Sequence, residues 1–323
     1  MGFAARPTGA RMQDPDPSFQ PVPGVAEPLA PGLRRIVAPN PSPMTFRGTN
    51  TYLLGTGIPG KGALAVIDPG PDDPAHLQAI LDALGPSQSI SHILVTHAHV
   101  DHSPLARPLS EATGAPVLAF GRAEAGRSPV MAALAADGLA GGGEGVDAGF
   151  APDITLRDGE EVAGDGWSIT ALHTPGHMGN HLSFAWGDAL FCGDLVMGWA
   201  SSLVSPPDGD LTDFMAACRR LRARPWRVFH PGHGAPIADP AARLDWLIDH
   251  RAAREAQVID ALVAGPATAQ ALAARIYTDT PPALLPAAAR NVFAHLIDLY
   301  GKNRVAPEGP LSADAVFALR KGK

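Results

Sequence analysis

The chain has 323 residues and a formal net charge of −7; 46% of its residues are hydrophobic and 18% are charged. This composition fits a globular protein with one large and one smaller domain, and it argues against non-specific nucleic-acid binding by the whole surface. No apolar run reaches the roughly 18 residues that span a bilayer, and two cysteines are too few for a disulfide framework. Since the N-terminus also lacks an apolar leader, we expect a cytoplasmic protein with no membrane partner.

The first third of the chain predicts a layered α/β arrangement, because strand-like and helix-like runs alternate. Residues 1–30 are rich in proline, glycine and alanine, and we expect an irregular arm there. Strands are predicted at residues 36–37, 51–54, 63–67 and 93–96, and a helix at residues 75–84. A second helix is predicted over residues 103–113, with Ser103 as its N-cap and Pro104 at its first helical position.

Four potential metal ligands lie within six residues, directly after the apolar run at residues 91–95: His97, His99, Asp101 and His102. The two histidines that are two residues apart leave an extended backbone on the same side, so they can reach one cation. Asp101 and His102 follow a bend and face a second point in space. The motif therefore predicts two neighbouring metals and requires further ligands from elsewhere in the chain.

Three later positions can supply those ligands. His177, Asp194 and His233 each follow a short apolar run and lie beside a glycine that permits a tight turn. Several strand ends could thus converge on one site. The nearby His173, His181 and His230 are expected to be mainly structural, and the isolated histidines are expected to be surface or capping residues (His76, His92, His250 and His295).

Six glycines fall within residues 138–149, which predicts a mobile loop. Such a loop can be a lid over the metals or a tolerated surface insertion, and we favour the insertion. Beyond it, three helices are predicted at residues 241–264, 268–277 and 287–300, followed by a two-stranded wing at residues 304–306 and 315–319. Only Arg290, Lys302 and Arg304 are available for phosphates, so we expect no sequence-specific DNA binding.

The motif His97-x-His99-x-Asp101-His102, followed by His177, Asp194 and His233, resembles the metallo-β-lactamase superfamily of dinuclear hydrolases. The stretch GTNTYL at residues 48–53 resembles its β-lactamase-like protein 2 and glyoxalase II-like group. The resemblance implies an α/β fold: a four-layer αββα sandwich over residues 31–243 and a small winged-helix domain over residues 244–323. It also implies a structural role for Asp68 and the following assignment of metal ligands: His97, His99 and His177 to one metal, Asp101, His102 and His233 to the second, and Asp194 bridging both.

The activity that this resemblance implies is hydrolysis of an ester, thioester or phosphodiester by a hydroxide shared between two metals. Asp101 would be catalytic as well as a ligand, because it can orient that hydroxide. The ligand types suit zinc, iron and manganese alike, and zinc is expected. The substrate is expected to be a small molecule or RNA, since the group includes an endoribonuclease. A regulator that binds nucleic acid through the winged helix is a further alternative, and a homodimer is left open.

Overall fold

Two β-sheets form the centre of the molecule. The computed structural model describes residues 16–55, 58, 61–141 and 145–320. The first sheet has its strands side by side in chain order: β1 (Glu27–Ala30), β2 (Leu33–Val37), β3 (Asn50–Leu54), β4 (Lys61–Ile67), β5 (Ser87–Leu94), β6 (Val117–Ala119) and β7 (Ile154–Thr155). The second sheet contains β8 (Glu161–Gly164), β9 (Trp167–His173), β10 (Leu182–Trp186), β11 (Ala189–Gly193) and β12 (Val228–Pro231), and these strands also lie side by side in chain order.

Parallel pairing brings the functional loops to one edge of each sheet. Strands β4 and β5 are parallel with Ile67 opposite Leu94, so the loops that follow them begin side by side. Strands β11 and β12 are also parallel, with Gly193 opposite Pro231. The loop that carries His97 to His102 therefore begins beside Asp68, and Asp194 and the loop that carries His233 lie beside each other in the second sheet.

Several of the helices begin where a side chain caps their first turn. Asp73 accepts hydrogen bonds from two backbone N–H groups at the start of α1 (Pro74–Asp82), and Asp210 accepts one at the start of α4 (Leu211–Arg222). The helices are α1 (Pro74–Asp82), α2 (Ala106–Thr113), α3 (Pro129–Ala136), α4 (Leu211–Arg222), α5 (Pro240–Val263), α6 (Ala269–Ile276) and α7 (Leu285–Gly301), with a short 3₁₀ helix at Pro282–Leu284.

The period-two pattern of the central strands produces four layers. In β4, Leu64 and Val66 face a core shared with α1 and α2, whereas Ala65 and Ile67 face a second core between the two sheets. On the far side of the second sheet, a third core joins that sheet to α4 and α5. The order helix, sheet, sheet, helix confirms the predicted αββα sandwich.

The C-terminal part is a small winged helix, as predicted. Helices α6 and α7 pack beside a three-stranded sheet made of β13 (Ala267–Thr268), β14 (Val305–Pro307) and β15 (Val316–Leu319), in the order β13-β15-β14. Its core also takes in Met131 and Leu134 of α3, so it is continuous with the larger domain. The division predicted between residues 243 and 244 falls within the first turns of α5 and stays a prediction.

Two sequence-based predictions of secondary structure are wrong within the described residues. The arm predicted for residues 1–30 ends in the strand Glu27–Ala30, because pairing with β2 satisfies the backbone there; residues 1–15 lie outside the described residues. Ser103 does not cap α2, which begins at Ala106. Its hydroxyl lies 3.1 Å from the carbonyl oxygen of His99 and 2.8 Å from Asp147 Oδ2. Ser103 therefore stabilises the loop at residues 97–102 that carries four candidate ligands, called the metal loop below.

No helix among the described residues is long and apolar enough to cross a bilayer. In the glycine-rich segment, residues 142–144 lie outside the described residues, and those described around them contain no helix or strand. An isolated bridge there joins Val146 to His99, so the segment touches the metal loop. Its predicted mobility stays a prediction.

Candidate metal centre

The loop that follows β5 is held in place by one aspartate. Asp68 has a left-handed backbone (φ +51°) and sits at the end of the neighbouring strand β4. Its Oδ1 accepts the backbone N–H of Thr96 at 2.7 Å, and its Oδ2 accepts the Thr96 hydroxyl at 2.8 Å. Oδ2 also accepts the Nδ1–H of His102 at 3.0 Å. Asp68 therefore fixes both ends of the loop, consistent with the supporting role that the resemblance implied.

Three histidine nitrogens converge at a first point. His99 Nδ1 lies 2.9 Å from His97 Nε2 and 3.0 Å from His177 Nε2. Since the Thr96 hydroxyl is donated to Asp68, His97 uses its Nδ1–H to bond that oxygen at 2.9 Å. His177 donates its Nδ1–H to Leu203 O at 2.7 Å. In both rings the Nε2 lone pair is therefore left facing the centre, as a metal ligand requires.

Two carboxylates and two histidines form a second group beside the first. His233 Nε2 lies 3.2 Å from Asp101 Oδ2 and 3.2 Å from Asp194 Oδ2. His102 Nε2 lies 3.5 Å from an oxygen of each of the same two carboxylates. In each of the two groups the potential ligand atoms all lie within 4.8 Å of one another.

Asp194 belongs to the second group and also approaches the first. Its Oδ2 is 3.8 Å from His177 Nε2 in the first group and 3.2 Å from His233 Nε2 in the second. This approach depends on Gly232, where an added Cβ would lie only 2.2 Å from Asp194 Oδ1 and 2.7 Å from His102 Cε1. A side chain at residue 232 would therefore push the loop that follows β12 away from Asp194 and His102.

The GTNTYL stretch fastens the loop that carries His233. Asn50 donates from Nδ2 to Pro231 O and Gly234 O, both at 2.9 Å. The hydroxyl of Tyr52 donates to Pro231 O at 2.7 Å. Strand β3 thus spans the gap between the first sheet and the end of β12, which gives the motif a physical role at the site.

Burial and charge set the protonation of the ligands. Burial lowers the pKa of His97, His99 and His177, to about 3 for His99. Burial also opposes the charge of His233, but Asp194 and Asp101 outweigh it and raise its pKa to about 10. The pKa of Asp194 is well below its usual range because His233 and His102 offset its burial. The neutral imidazoles of the first group and the ionised carboxylates of the second are the donor forms that a cation needs, whereas the raised pKa of His233 means that its ring must lose a proton when a cation binds.

The residues present fit a pair of metal ions. Asp101 Oδ1 and Asp194 Oδ1 are buried, and among the described residues neither accepts a hydrogen bond. Buried carboxylate oxygens without donors are costly, and a bound cation removes that cost. All seven residues predicted to be ligands lie in these two groups (His97, His99, Asp101, His102, His177, Asp194 and His233). Six of them fall into the two predicted sets, and Asp194, predicted to bridge, belongs to the second group; their roles as ligands stay a prediction.

A narrow cavity opens onto the two groups, and most of its remaining wall was not identified from the sequence. Met44, Met197 and Leu203 line it with apolar surface, and Ser205 and Asp208 add polar groups. Asp208 is buried, and its Oδ1 accepts a hydrogen bond from Arg127 Nη2 at 2.7 Å. Among the described residues, no lysine or arginine lines this cavity.

The neighbouring histidines pack against other side chains, and their expected structural role stays a prediction. His173 stacks on Phe120 with ring centroids 3.8 Å apart, and His230 stacks on Phe191 at 5.2 Å. His181 is buried and contacts Thr174 through Nδ1. The prediction that His76 and His295 are surface or capping residues is wrong, because each is 1% exposed.

Comparison with known proteins agrees with this geometry. A model of the metallo-beta-lactamase superfamily matches residues 44–233. The chain belongs to this superfamily. It is a metal-dependent hydrolase by that membership. A model described as the beta-lactamase associated winged helix domain matches residues 268–310.

Several known proteins are similar to this chain over most of its length. A beta-lactamase-like protein 2 homolog of Drosophila melanogaster is 33% identical over 306 residues, which cover 90% of this chain and 94% of the relative. An atrochrysone carboxyl ACP thioesterase of Aspergillus terreus is 30% identical over 243 residues, covering 73% of this chain and 65% of the relative. The crystal structure of a metallo-beta-lactamase family protein from Thermus thermophilus has a TM-score of 0.70 and 25% identity, and the match covers 91% of this chain and all of that one.

Proposed function

We propose that this hydrolase binds two divalent first-row transition metal ions, zinc foremost, and cleaves an ester or thioester of an apolar acyl group. His97, His99 and His177 would hold one ion, and Asp101, His102 and His233 the other. Asp194 would bridge them, since its carboxylate approaches both groups. When bound, such a pair of ions supplies an activated water and polarises the oxygen of the scissile group.

The side chains of the centre have separate tasks in this proposal. Asp101 Oδ1 accepts no hydrogen bond from a described residue, so it is available to orient an attacking water. The contacts of His102 with Asp68 and of His177 with Leu203 O hold those rings in one tautomer. Burial excludes bulk water, which strengthens every electrostatic contact at the reacting atoms.

The residues that line the cavity favour one substrate class over the others. Met44, Met197 and Leu203 offer apolar contact to an acyl group beside the ligands. A polyanionic substrate such as RNA is normally held by lysine and arginine, and none lines this cavity among the described residues. The Aspergillus terreus relative is named a thioesterase, which supports the same class.

An endoribonuclease and a nucleic-acid-binding regulator are the alternatives, and the C-terminal cations support them less. Arg290 donates to Ala140 O, Ser205 Oγ and Pro206 O, and Lys302 is paired with Glu255 and Asp298. These contacts occupy two of the three cations expected to meet phosphates. We therefore propose a small-molecule thioester or ester substrate and no sequence-specific DNA binding.

The test is a comparison of kcat/KM on three substrates: a medium-chain acyl thioester, bis-p-nitrophenyl phosphate and a single-stranded RNA. We expect kcat/KM to be highest on the thioester. Leu203→Lys should lower kcat/KM on the thioester more than on the other two substrates, because a charge replaces apolar surface in the cavity. The exposed Val263, far along α5, supplies a matched Val263→Lys control that should change nothing. A higher kcat/KM on RNA or on the phosphodiester would overturn the choice of substrate class.

A further inference from the structure

A second polar cavity lies away from the metal centre, between α4 on one side and α5 and α7 on the other. Its volume is about 240 Å³. Charged and titratable side chains from all three helices line it: Arg219, Arg251, Glu255, His295, Asp298 and Lys302. The cavity therefore sits where the winged-helix part meets the metal-binding domain, and the proposed reaction makes no use of it.

Arg251 is a buried cation beside this cavity without a buried counter-ion. The residue is 2% exposed. Its Nη1 donates to Asn291 Oδ1 at 3.0 Å and its Nη2 donates to Ser202 O, while Nε has no acceptor among the described residues. No carboxylate of the described residues lies within 4.0 Å of the guanidinium. A buried charge in this state is unfavourable unless an anion pairs with it.

His295 presents unused hydrogen-bonding groups to the same cavity. It is 1% exposed, and neither of its ring nitrogens has a partner among the described residues. Burial, together with the charge of Arg251, lowers the pKa of His295 to about 3. The neutral ring still carries one N–H donor. Buried polar groups are almost always paired, so a water molecule or a ligand is required here.

The remaining charges leave the cavity positive. Lys302 Nζ lies 2.8 Å from Glu255 Oε2 and 2.6 Å from Asp298 Oδ2, and the Thr212 hydroxyl donates to Asp298 Oδ1 at 2.7 Å. The two acids are thus engaged with the same lysine, which leaves Arg251 and the exposed Arg219 without carboxylate partners among the described residues. Anions are attracted to such a site, because cationic groups in a partly enclosed cavity focus their field.

We propose that this cavity binds a small oxyanion, of the size of phosphate or a short monocarboxylate, through Arg251, His295 and Arg219. A water molecule has a share of roughly 30 Å³ in the liquid, so the cavity has room for such an anion with several waters. The anion would supply the missing counter-ion to Arg251 and accept the N–H of His295. This site is separate from the proposed hydrolytic reaction and goes beyond it.

A bound anion would also affect the metal centre indirectly, through a short chain of hydrogen bonds that begins at Arg251. Arg251 holds Ser202 O, and Asn291 Oδ1 accepts both Arg251 Nη1–H and the backbone N–H of Val204 at 3.2 Å. Leu203 lies between Ser202 and Val204 in the chain and lines the metal cavity. Its carbonyl oxygen accepts the Nδ1–H of His177. Fixing Arg251 therefore fixes the wall that orients one of the proposed ligands.

The experiment is calorimetric titration of the full-length, metal-loaded protein with inorganic phosphate and, separately, with acetate, at constant ionic strength. We expect saturable binding of at least one of the two, which identifies the preferred oxyanion. His295→Leu removes the N–H while keeping a side chain of similar size, and it should weaken binding at least about 10-fold. Arg219→Ala removes an exposed cation and should weaken it about threefold. Arg220→Ala, one residue along α4 and paired with Asp158 instead, is the charge-matched control.

Phosphate can also bind at a metal centre, and the variants separate the two sites. None of the seven proposed metal ligands is altered in the three variants, so binding of phosphate at the metals would persist in each of them. Arg219→Ala alone decides the matter should His295→Leu fail to fold. The proposal is overturned by an absence of saturable binding for both anions, or by affinities in the cavity variants that equal that of Arg220→Ala.

Discussion

Asp68 Oδ2 lies 3.0 Å from His102 Nδ1, and the same carboxylate accepts two hydrogen bonds from Thr96. One side chain thus orients a proposed ligand and the loop that carries three others. An amide in its place can no longer accept all three hydrogen bonds. We predict that Asp68→Asn lowers the affinity of the Asp101, His102 and His233 group for metal by about 10- to 100-fold, measured by competition with a chelator.

The control for this prediction is Asp72→Asn, which removes an exposed carboxylate a few residues along the chain. It should bind metal as the wild type does. Equal metal affinity in Asp68→Asn and Asp72→Asn would show that the contact with His102 has no role in holding the ligand.

Asp194 and His177 should differ in how many metals each affects. Because Asp194 approaches both ligand groups, Asp194→Ala should reduce the metal content at both positions. His177 belongs to the first group, so His177→Ala should leave the second metal largely in place. Elemental analysis after dialysis measures both outcomes. A full-affinity site retained in Asp194→Ala would contradict its bridging role.

Stability should fall in mild acid, and His230 should account for part of the loss. Burial lowers the pKa of His230 to about 4 in the folded chain, against an unperturbed value of about 6.5. Between these values the unfolded state binds the extra proton, so stability is retained above pH 6.5 and lost as the pH falls towards 4. His230→Phe keeps the stacking on Phe191 and removes the titration.

The expected size of this effect is about 2 kcal/mol between pH 7 and pH 5. Chemical denaturation of the wild type and of His230→Phe at both pH values measures it, since the difference between the two proteins removes the contribution of all other groups. A loss of unfolding free energy that is the same in both proteins would mean that His230 is not the buried neutral group described.

A chain that ends at Asp239 should fold poorly although it retains every proposed metal ligand. Leu244 and Leu247 of α5 are fully buried in the core that also contains Phe214 and Leu221. Their removal exposes that core, so we predict aggregation or a lower melting temperature, or a changed substrate preference if the protein stays folded. A chain that ends at Val263 keeps α5 and should be more stable. Equal stability and an unchanged substrate profile for the shorter chain would contradict the packing argument.

The layers and the ligand groups could be predicted from the sequence because their signals are local. Period-two alternation in β4 and the spacing of His97 and His99 each depend on a few neighbouring residues. The contact between Arg127 and Asp208, which lines the cavity, could not be predicted, since the two residues are 81 positions apart and only tertiary packing brings them together. His295 was misjudged for a related reason: α7 is buried on all sides from Val292 to Leu299, so helical periodicity does not mark its position.

Ser103 shows how tertiary contacts override a capping signal. A serine before a proline is typical of a helix start, yet the hydroxyl of Ser103 is used at His99 O and Asp147. The backbone of residues 96–105 instead follows the contacts with Asp68 and Gly70: Gly70 donates its N–H to His102 O at 3.0 Å. The site therefore sets the local structure, and the helix begins only after it.

The most direct test of the two-metal proposal is a titration of the metal-free protein with zinc, in which thioester hydrolysis is measured at each addition. If His97, His99 and His177 hold one ion and Asp101, His102 and His233 the other, two equivalents per chain should bind and activity should rise mainly with the second. Full activity after one equivalent, or the same slow hydrolysis before and after two, would contradict the proposed dinuclear reaction.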